Sequence, residues 1–282
     1  GEVQLAQGDL AGAHASIEQS LAIRRKLAES DPANTEWQRE LSVSFNRLGG
    51  VQLAQNNLTT ARASFDRGLR IRRKLAESDP ANIGWQHELS LNYDKLGGVQ
   101  LAQNDLTGAR ASFEHGLRIR QRLAERDPAN ANWLPDLSAA FDKLREVQLA
   151  QGDTAGARAS FEQGLKLRQK MAENDPDNAG WQYDLSVSFD KLGDMQLAQG
   201  DLAGARASFE QALELAQKLA ERDPNNAGWQ YDLSLNFDKL GGVQLAQKDL
   251  TGARVSFEHS LRLARQLAES DPNNPGWQRE LS

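Results

Sequence analysis

The residue types that most often carry chemistry are sparse in this chain of 282 residues. Cysteine is absent, and histidine occurs only at His14, His87, His115 and His259. Metal ligation and nucleophile activation need such groups to converge within a few ångströms, whereas these histidines stand singly at different places in the sequence. The absence of cysteine excludes disulfide scaffolds, thiol nucleophiles and cysteine-ligated zinc. We therefore expect no enzyme activity, no metal and no cofactor.

Serine and aspartate are frequent, but they recur at a fixed interval and have no matching histidine. One series places a serine directly before an apolar residue, at Ser16, Ser64, Ser112, Ser160, Ser208 and Ser256. We interpret these serines as helix-packing residues and the recurring aspartates as helix caps.

The charge balance argues against nucleic-acid binding. The chain has 33 Lys plus Arg against 39 Asp plus Glu, a net charge of −6, whereas binding to a phosphate backbone draws its affinity from clustered basic residues. No apolar run is long enough to span a bilayer, and the first residues lack the pattern of a signal peptide. The sequence predicts a soluble, cytoplasmic protein without membrane contact.

Tryptophan recurs every 48 residues along the whole chain. Its positions are Trp37, Trp85, Trp133, Trp181, Trp229 and Trp277, and Asp-Pro pairs follow the same period from Asp31-Pro32 to Asp271-Pro272. Fixed periods of roughly 20 to 50 residues are typical of solenoids, in which each unit buries its apolar face only against its neighbours. We predict one solenoid over residues 1–282, with about six repeats, in place of the two domains that length alone favours.

Each period contains two helical patterns. The first, helix A, has an apolar stripe through Trp37, Leu41, Phe45, Leu48 and Val51, at the spacing that places side chains on one face of a helix. An asparagine is predicted to cap its start. These asparagines are Asn34, Asn82, Asn130, Asn178, Asn226 and Asn274.

The second pattern, helix B, follows a short turn. The turn contains residue types that tolerate a left-handed backbone, at Gly8, Asn56, Asn104, Gly152 and Gly200, with Lys248 as the departure. The next residue is an Asp or Asn that can cap helix B, and the Asp-Pro pair ends the helix because the residue before proline is disfavoured in the helical region. There is no room for strands, so the fold is predicted to be all-α.

Residues 45–69 resemble the tetratricopeptide repeat. The family's aromatic, Leu-Gly, turn, alanine, phenylalanine and small-residue positions match Phe45, Leu48-Gly49, Asn56-Asn57-Leu58, Ala61, Phe65 and Gly68. The family's repeat has about 34 residues, and here both helices are longer at the same end. Long repeats of kinesin light chains and bacterial signalling proteins look similar. The resemblance implies a right-handed superhelical α-solenoid of antiparallel helix pairs, with a concave groove lined by helix A.

The positions of helix A that differ between repeats define the predicted groove. Four rows begin at Arg39, Val43, Asn46 and Gly50, and their spacing puts them on one face. The candidate groove residues in these rows are Asp142, Glu146, Tyr183, Asp190, Asp194, Tyr231 and Asp238. Lys143 and Lys191 lie one residue away and could neutralise part of the acidity.

This groove differs from the family's clamp for a peptide-terminal carboxylate, since acids occupy the clamp's Lys and Asn positions. A basic, extended peptide fits better, with tyrosine providing contact area. An equally open interpretation is that the acids only confer solubility. The basic residues of helix B, including Arg72, Arg120 and Arg168, are interpreted as a solvated helix face.

The sequence thus predicts a non-catalytic scaffold for a protein or peptide partner. Two alternatives stay open: a structural array that assembles end to end, and a sensor module of a larger signalling protein. Both ends of the sequence fall within helix A, with Val3 and Leu5 at one end and Trp277 and Leu281 at the other. Such uncapped apolar ends predict head-to-tail self-association, abolished by Trp277→Glu.

Overall fold

The computed structural model describes Gln4, residues 7–128 and residues 130–271. The described residues form eleven helices and no strand. The helices are α1 (Leu10–Ser30), α2 (Thr35–Ala54), α3 (Leu58–Ser78), α4 (Ile83–Ala102), α5 (Leu106–Arg126), α6 (Trp133–Ala150), α7 (Thr154–Asn174), α8 (Ala179–Ala198), α9 (Leu202–Arg222), α10 (Ala227–Ala246) and α11 (Leu250–Ser270). The even-numbered helices are the predicted helices A, and the odd-numbered helices are the predicted helices B.

The chain divides into two compact units, residues 1–164 and residues 165–282. In the first unit, α2 packs on α1 and α3, and α5 packs on α4 and α6. In the second unit, α9 packs on α8 and α10, and α10 packs on α11. Successive helices joined by short turns run antiparallel, so each unit is a solenoid of helix hairpins, as predicted. The organisation of residues 1–282 as a single solenoid stays a prediction.

The predicted caps form at most helix starts. Asn34, Asn82, Asn178 and Asn226 each accept a hydrogen bond from the backbone N–H of the tryptophan three residues on, at 3.0–3.2 Å. Asp9, Asp105, Asp153, Asp201 and Asp249 accept from a glycine N–H at the start of helix B, at 2.8–3.0 Å. Asn57 makes no such bond. Lys248 takes the left-handed conformation like its glycine and asparagine counterparts, with φ 65°.

The predicted cap at Asn130 is wrong. Helix α6 begins at Trp133 and has 18 residues, whereas the other described helices A have 20. The cause is Pro135, because a helix that began at Ala131 would need an N–H from residue 135, and the proline ring would meet the carbonyl of residue 131. Starting at Trp133 places the proline in the first turn, where no such N–H is required.

Buried polar pairs join helix A to helix B, beyond the packing role expected of the serines. The hydroxyl groups of Ser64, Ser112, Ser160 and Ser256 donate to the side-chain oxygens of Gln52, Gln100, Gln148 and Gln244 at 2.7–2.8 Å. Each pair satisfies a buried hydroxyl and fixes the register of two helices. The serines therefore have two roles. Their small side chains suit close helix packing, as the sequence indicates, and their hydrogen bonds make the pairing of the two helices specific.

Apolar stripes of consecutive helices meet in continuous clusters. Phe65 and Leu96 belong to such a cluster in the first unit, and Phe209 and Leu240 belong to one in the second. Trp133 is half-buried and packs against the first of these clusters. No helix in the described part of the chain is long and apolar enough to cross a membrane. The predicted self-association surfaces, including Val3 and Trp277, lie outside the described residues.

Candidate ligand-binding site on helix A

Side chains of adjacent helices A pair with one another 49 residues apart along the chain. In the first unit, the Arg39 guanidinium donates to the carboxylate of Glu88, with Nη2 2.6 Å from Oε1. The next step of the same row joins His87 Nε2 to Asp136 Oδ2 at 2.7 Å. In both pairs, the residue equivalent to position 39 of one helix A contacts the acid equivalent to position 40 of the next helix A.

Two arginines of helix B are buried, which corrects the interpretation of this row as a solvated face. Arg72 is 7% exposed and places Nη1 2.7 Å from Glu88 Oε2. Arg120 is 2% exposed and makes a bidentate contact with Asp94, at 2.6 and 3.1 Å. Burial lowers the pKa of Arg72 from its usual value, and the carboxylate of Glu88 opposes this shift. Their neighbours Arg70, Arg73 and others remain exposed as expected.

A lysine row forms a second set of contacts between helices A. Lys143 Nζ lies 2.5 Å from Asp94 Oδ2, so Asp94 has two cationic partners. In the second unit, Lys239 Nζ donates to Asp190 Oδ2 at 2.7 Å and to Asp194 Oδ2 at 2.8 Å. Burial alone would lower the pKa of Lys239, but the hydrogen bonds and charges of both aspartates outweigh it and raise the pKa.

A cavity of about 80 Å³ opens in the second unit between α8, α9 and α10. Tyr183 and Asp190 line it from α8, Ala216 from α9, and Trp229 and Asp232 from α10. The cavity thus combines aromatic surface with two carboxylates.

The titration of the Tyr183–Asp232 pair reflects this setting. Burial raises the pKa of Tyr183, and the charge of Asp232 and the hydrogen bond to it raise that pKa further. Burial also raises the pKa of Asp232, and the nearby Asp190 adds to the shift while the Tyr183 hydrogen bond opposes it. Keeping the carboxylate of Asp232 ionised at this site therefore costs free energy in the folded protein.

The structure brings together only some of the predicted groove residues. Tyr183 and Asp190 line the cavity, and Asp194 joins them through Lys239. The same unit contains Tyr231, which is half-buried, and Asp238, which is exposed, but neither lines the cavity. In the first unit, Asp142 is half-buried and Glu146 is exposed. Their membership of one groove stays a prediction.

Sequence reasoning missed several residues of the cavity, among them Ala216, Trp229, Asp232, Asn236 and Lys239. A signal for Ala216 is present in the sequence, because the same register of helix B reads Arg24, Arg72, Arg120, Arg168, Ala216 and Ala264. Ala216 has a much smaller side chain at a position where the arginine is buried at Arg72 and Arg120 and half-buried at Arg24 and Arg168. Among the described residues, no group of three or more His, Asp or Glu side chains is arranged to hold a metal ion.

Comparison with known proteins agrees with this architecture. Two tetratricopeptide repeat models match, over residues 146–198 and residues 187–226. The 48-residue pattern of the matched segments continues on both sides of them, so the chain is similar to tetratricopeptide repeat proteins beyond the matched residues. No curated protein sequence matches it.

Solved structures share its fold at low identity. BtubC from P. vanneervenii is 18% identical with a TM-score of 0.61, covering 94% of each chain. The S. pombe nuclear import adaptor Nro1 is 12% identical with a TM-score of 0.69, covering 99% of this chain and 94% of Nro1. A putative kinesin light chain from Podospora anserina, with nearly identical repeats, is 16% identical with a TM-score of 0.52, covering 83% of this chain and 98% of that one. At these identities the likeness is one of fold.

Proposed function

We propose that the chain is a non-catalytic protein-interaction scaffold that binds an extended, basic segment of a partner along helix A. The observation that carries the proposal is the excess of negative charge in the second unit. Asp190, Asp194 and Asp232 lie at one site, and Lys239 is the ammonium group that contacts two of them. A basic segment would supply the missing positive charge, and Tyr183 offers it a partly exposed aromatic surface.

The family and its relatives support the coarser part of this proposal. Tetratricopeptide repeats are built to present one helix of each pair on a continuous face. Nro1, which shares the fold, is a nuclear import adaptor. That likeness carries no information about a ligand, so the preference for a basic segment depends on the charges and aromatic groups of this chain.

The test is calorimetric titration of an extended peptide of alternating lysine and alanine at low and high salt. We expect binding that weakens with added salt, because the contacts are electrostatic and partly exposed. Tyr183→Ala and Asp190→Lys should each weaken it. Glu214→Lys is the matched control, because it changes the net charge as much as Asp190→Lys does, at an exposed position of α9. Equal binding by the wild type, Tyr183→Ala and Asp190→Lys would refute the proposal.

A further inference from the structure

Each buried arginine of helix B in the first unit forms an ion pair with a carboxylate of a neighbouring helix A. Arg72 reaches the acid at the register of position 40, which is Glu88, and Arg120 reaches the acid at the register of position 46, which is Asp94. Both carboxylates lie on α4, the helix A that follows Arg72 and precedes Arg120, so an arginine at this register can pair with an acid of either neighbouring helix A.

In the second unit this register is occupied by Ala216, which is 3% exposed, and the acceptors remain. Asp232 is the counterpart of Glu88, and Asp190 is the counterpart of Asp94, at the same 48-residue spacing. Both line the cavity beside Ala216. At this register the second unit thus has two carboxylates beside an alanine, whereas Arg72 and Arg120 occupy it in the first unit.

The carboxylates at the cavity have fewer cationic partners than Asp94 has in the first unit. Asp94 contacts both Arg120 and Lys143, whereas Asp190 contacts Lys239, which it shares with Asp194. In addition, Asn236 lines the cavity, is 6% exposed, and has a buried Oδ1 atom without a hydrogen-bond partner. A buried acceptor without a donor is costly, and a ligand that only donates would satisfy it.

We propose that this cavity is a pocket for the guanidinium group of an arginine side chain supplied by a binding partner. The inference rests on the proposed function and deepens it, since it names the side chain that the acidic site selects. Arginine fits better than lysine because its planar group carries five donors that can serve Asp190, Asp232 and Asn236 together. Trp229 and Tyr183 add aromatic walls on which a guanidinium can stack.

The test compares three peptides that are identical except at one central residue. An alanine–serine peptide contains arginine, lysine or citrulline, the last of which has nearly the shape of arginine without its charge. Calorimetric titration of the wild-type chain should show at least tenfold tighter binding of the arginine peptide than of the citrulline peptide, with the lysine peptide between them. Equal binding of the arginine and citrulline peptides would overturn the pocket.

The decisive variant is Ala216→Arg, which restores the residue found at this register in α1, α3 and α5. Its own guanidinium should occupy the pocket, so the arginine peptide should bind at least tenfold more weakly. Gln211→Arg is the matched control, because it adds the same charge on the exposed face of α9 and should leave binding unchanged. If Ala216→Arg does not fold, Ala216→Met fills the same space without charge and should also abolish the preference for arginine.

The outcomes separate this proposal from the proposed function. If basic peptides bind the wild type in a salt-dependent manner and Ala216→Arg binds them equally well, the acidic face is correct and the pocket is wrong. If neither the arginine peptide nor the lysine–alanine peptide binds the wild type, both proposals are wrong. If Ala216→Arg loses binding of the arginine peptide but keeps binding of the lysine–alanine peptide, both proposals are supported.

Discussion

Replacement of Arg120 by alanine should be the most destabilising single change on the buried charge network of the first unit. Arg120 is 2% exposed, and its partner Asp94 is 8% exposed. Removing one partner of a buried ion pair typically costs about 3–5 kcal/mol, because the other charge stays buried without compensation. Lys143 still contacts Asp94 at 2.5 Å, so we expect the lower end of this range, about 3 kcal/mol.

The expected loss can be separated into charge and packing. Arg120→Met keeps most of the apolar stem and removes the guanidinium, so it should lose nearly as much stability as Arg120→Ala if the charge dominates. Adding Asp94→Asn to Arg120→Met should recover most of the loss, since replacing both partners of a buried pair is often close to neutral. Arg122→Ala, exposed on the same helix, is the control and should change stability by less than about 0.5 kcal/mol.

The assay is urea unfolding followed by circular dichroism, with native-state hydrogen exchange to locate the loss. Exchange should accelerate in α4 and α5, the helices that the pair joins. A loss below about 1 kcal/mol for Arg120→Ala, or no recovery when Asp94→Asn is added, would show that the buried pair does not carry the stability assigned to it.

Three further substitutions and one measurement on the unchanged chain test other parts of the structure. Lys248→Gly should stabilise the chain by about 0.5–1 kcal/mol in thermal unfolding, because Lys248 has φ 65°; a lower melting temperature would contradict this. Asp232→Asn should raise the melting temperature slightly at neutral pH, and the gain should disappear as the pH falls through the raised pKa of Asp232, where the wild-type carboxyl is also protonated; a gain that persists at low pH would argue otherwise. Trp133→Ala should cost about 2–3 kcal/mol, less than a fully buried tryptophan, since the ring is half-buried, and unchanged melting would refute its packing role. Hydrogen exchange should find α6, which Pro135 shortens, among the faster-opening internal helices, and a place among the slowest would exclude this.

The helices and their pairing could be predicted because the signals are local. The stripes of helix A and the Asp-Pro stops depend on residues within one repeat, and the 48-residue period shows that the same local pattern recurs along the chain. The late start of α6 could have been predicted by the same local logic, since Pro135 lies too far inside a helix that begins at residue 131.

The burial of Arg72 and Arg120 could not be predicted from one repeat. The partner of Arg72 lies 16 residues later, in the helix A that follows, and the partner of Arg120 lies 26 residues earlier, in the helix A that precedes. An arginine on a helix surface usually remains solvated. Only the packing of helix B between two helices A shows that this register is enclosed. The same limitation hid the cavity, because an alanine in a helix becomes informative only when its counterparts are known to be buried.

The lysine row shows how the scaffold changes its electrostatics while its helices keep their register. Lys95 and Lys239 occupy the same register of helix A, yet their pKa values shift in opposite directions. Burial lowers the pKa of Lys95, and the positive charges of Arg72 and Arg47 lower it further, whereas Asp190 and Asp194 raise the pKa of Lys239. Because both lysines lie on helices and the groups that shift their pKa values are side chains, substitutions at a few rows are enough to reverse the direction of the shift. The charged groups near this lysine thus differ between the two units, with Arg72 and Arg47 near Lys95 and with Asp190 and Asp194 near Lys239.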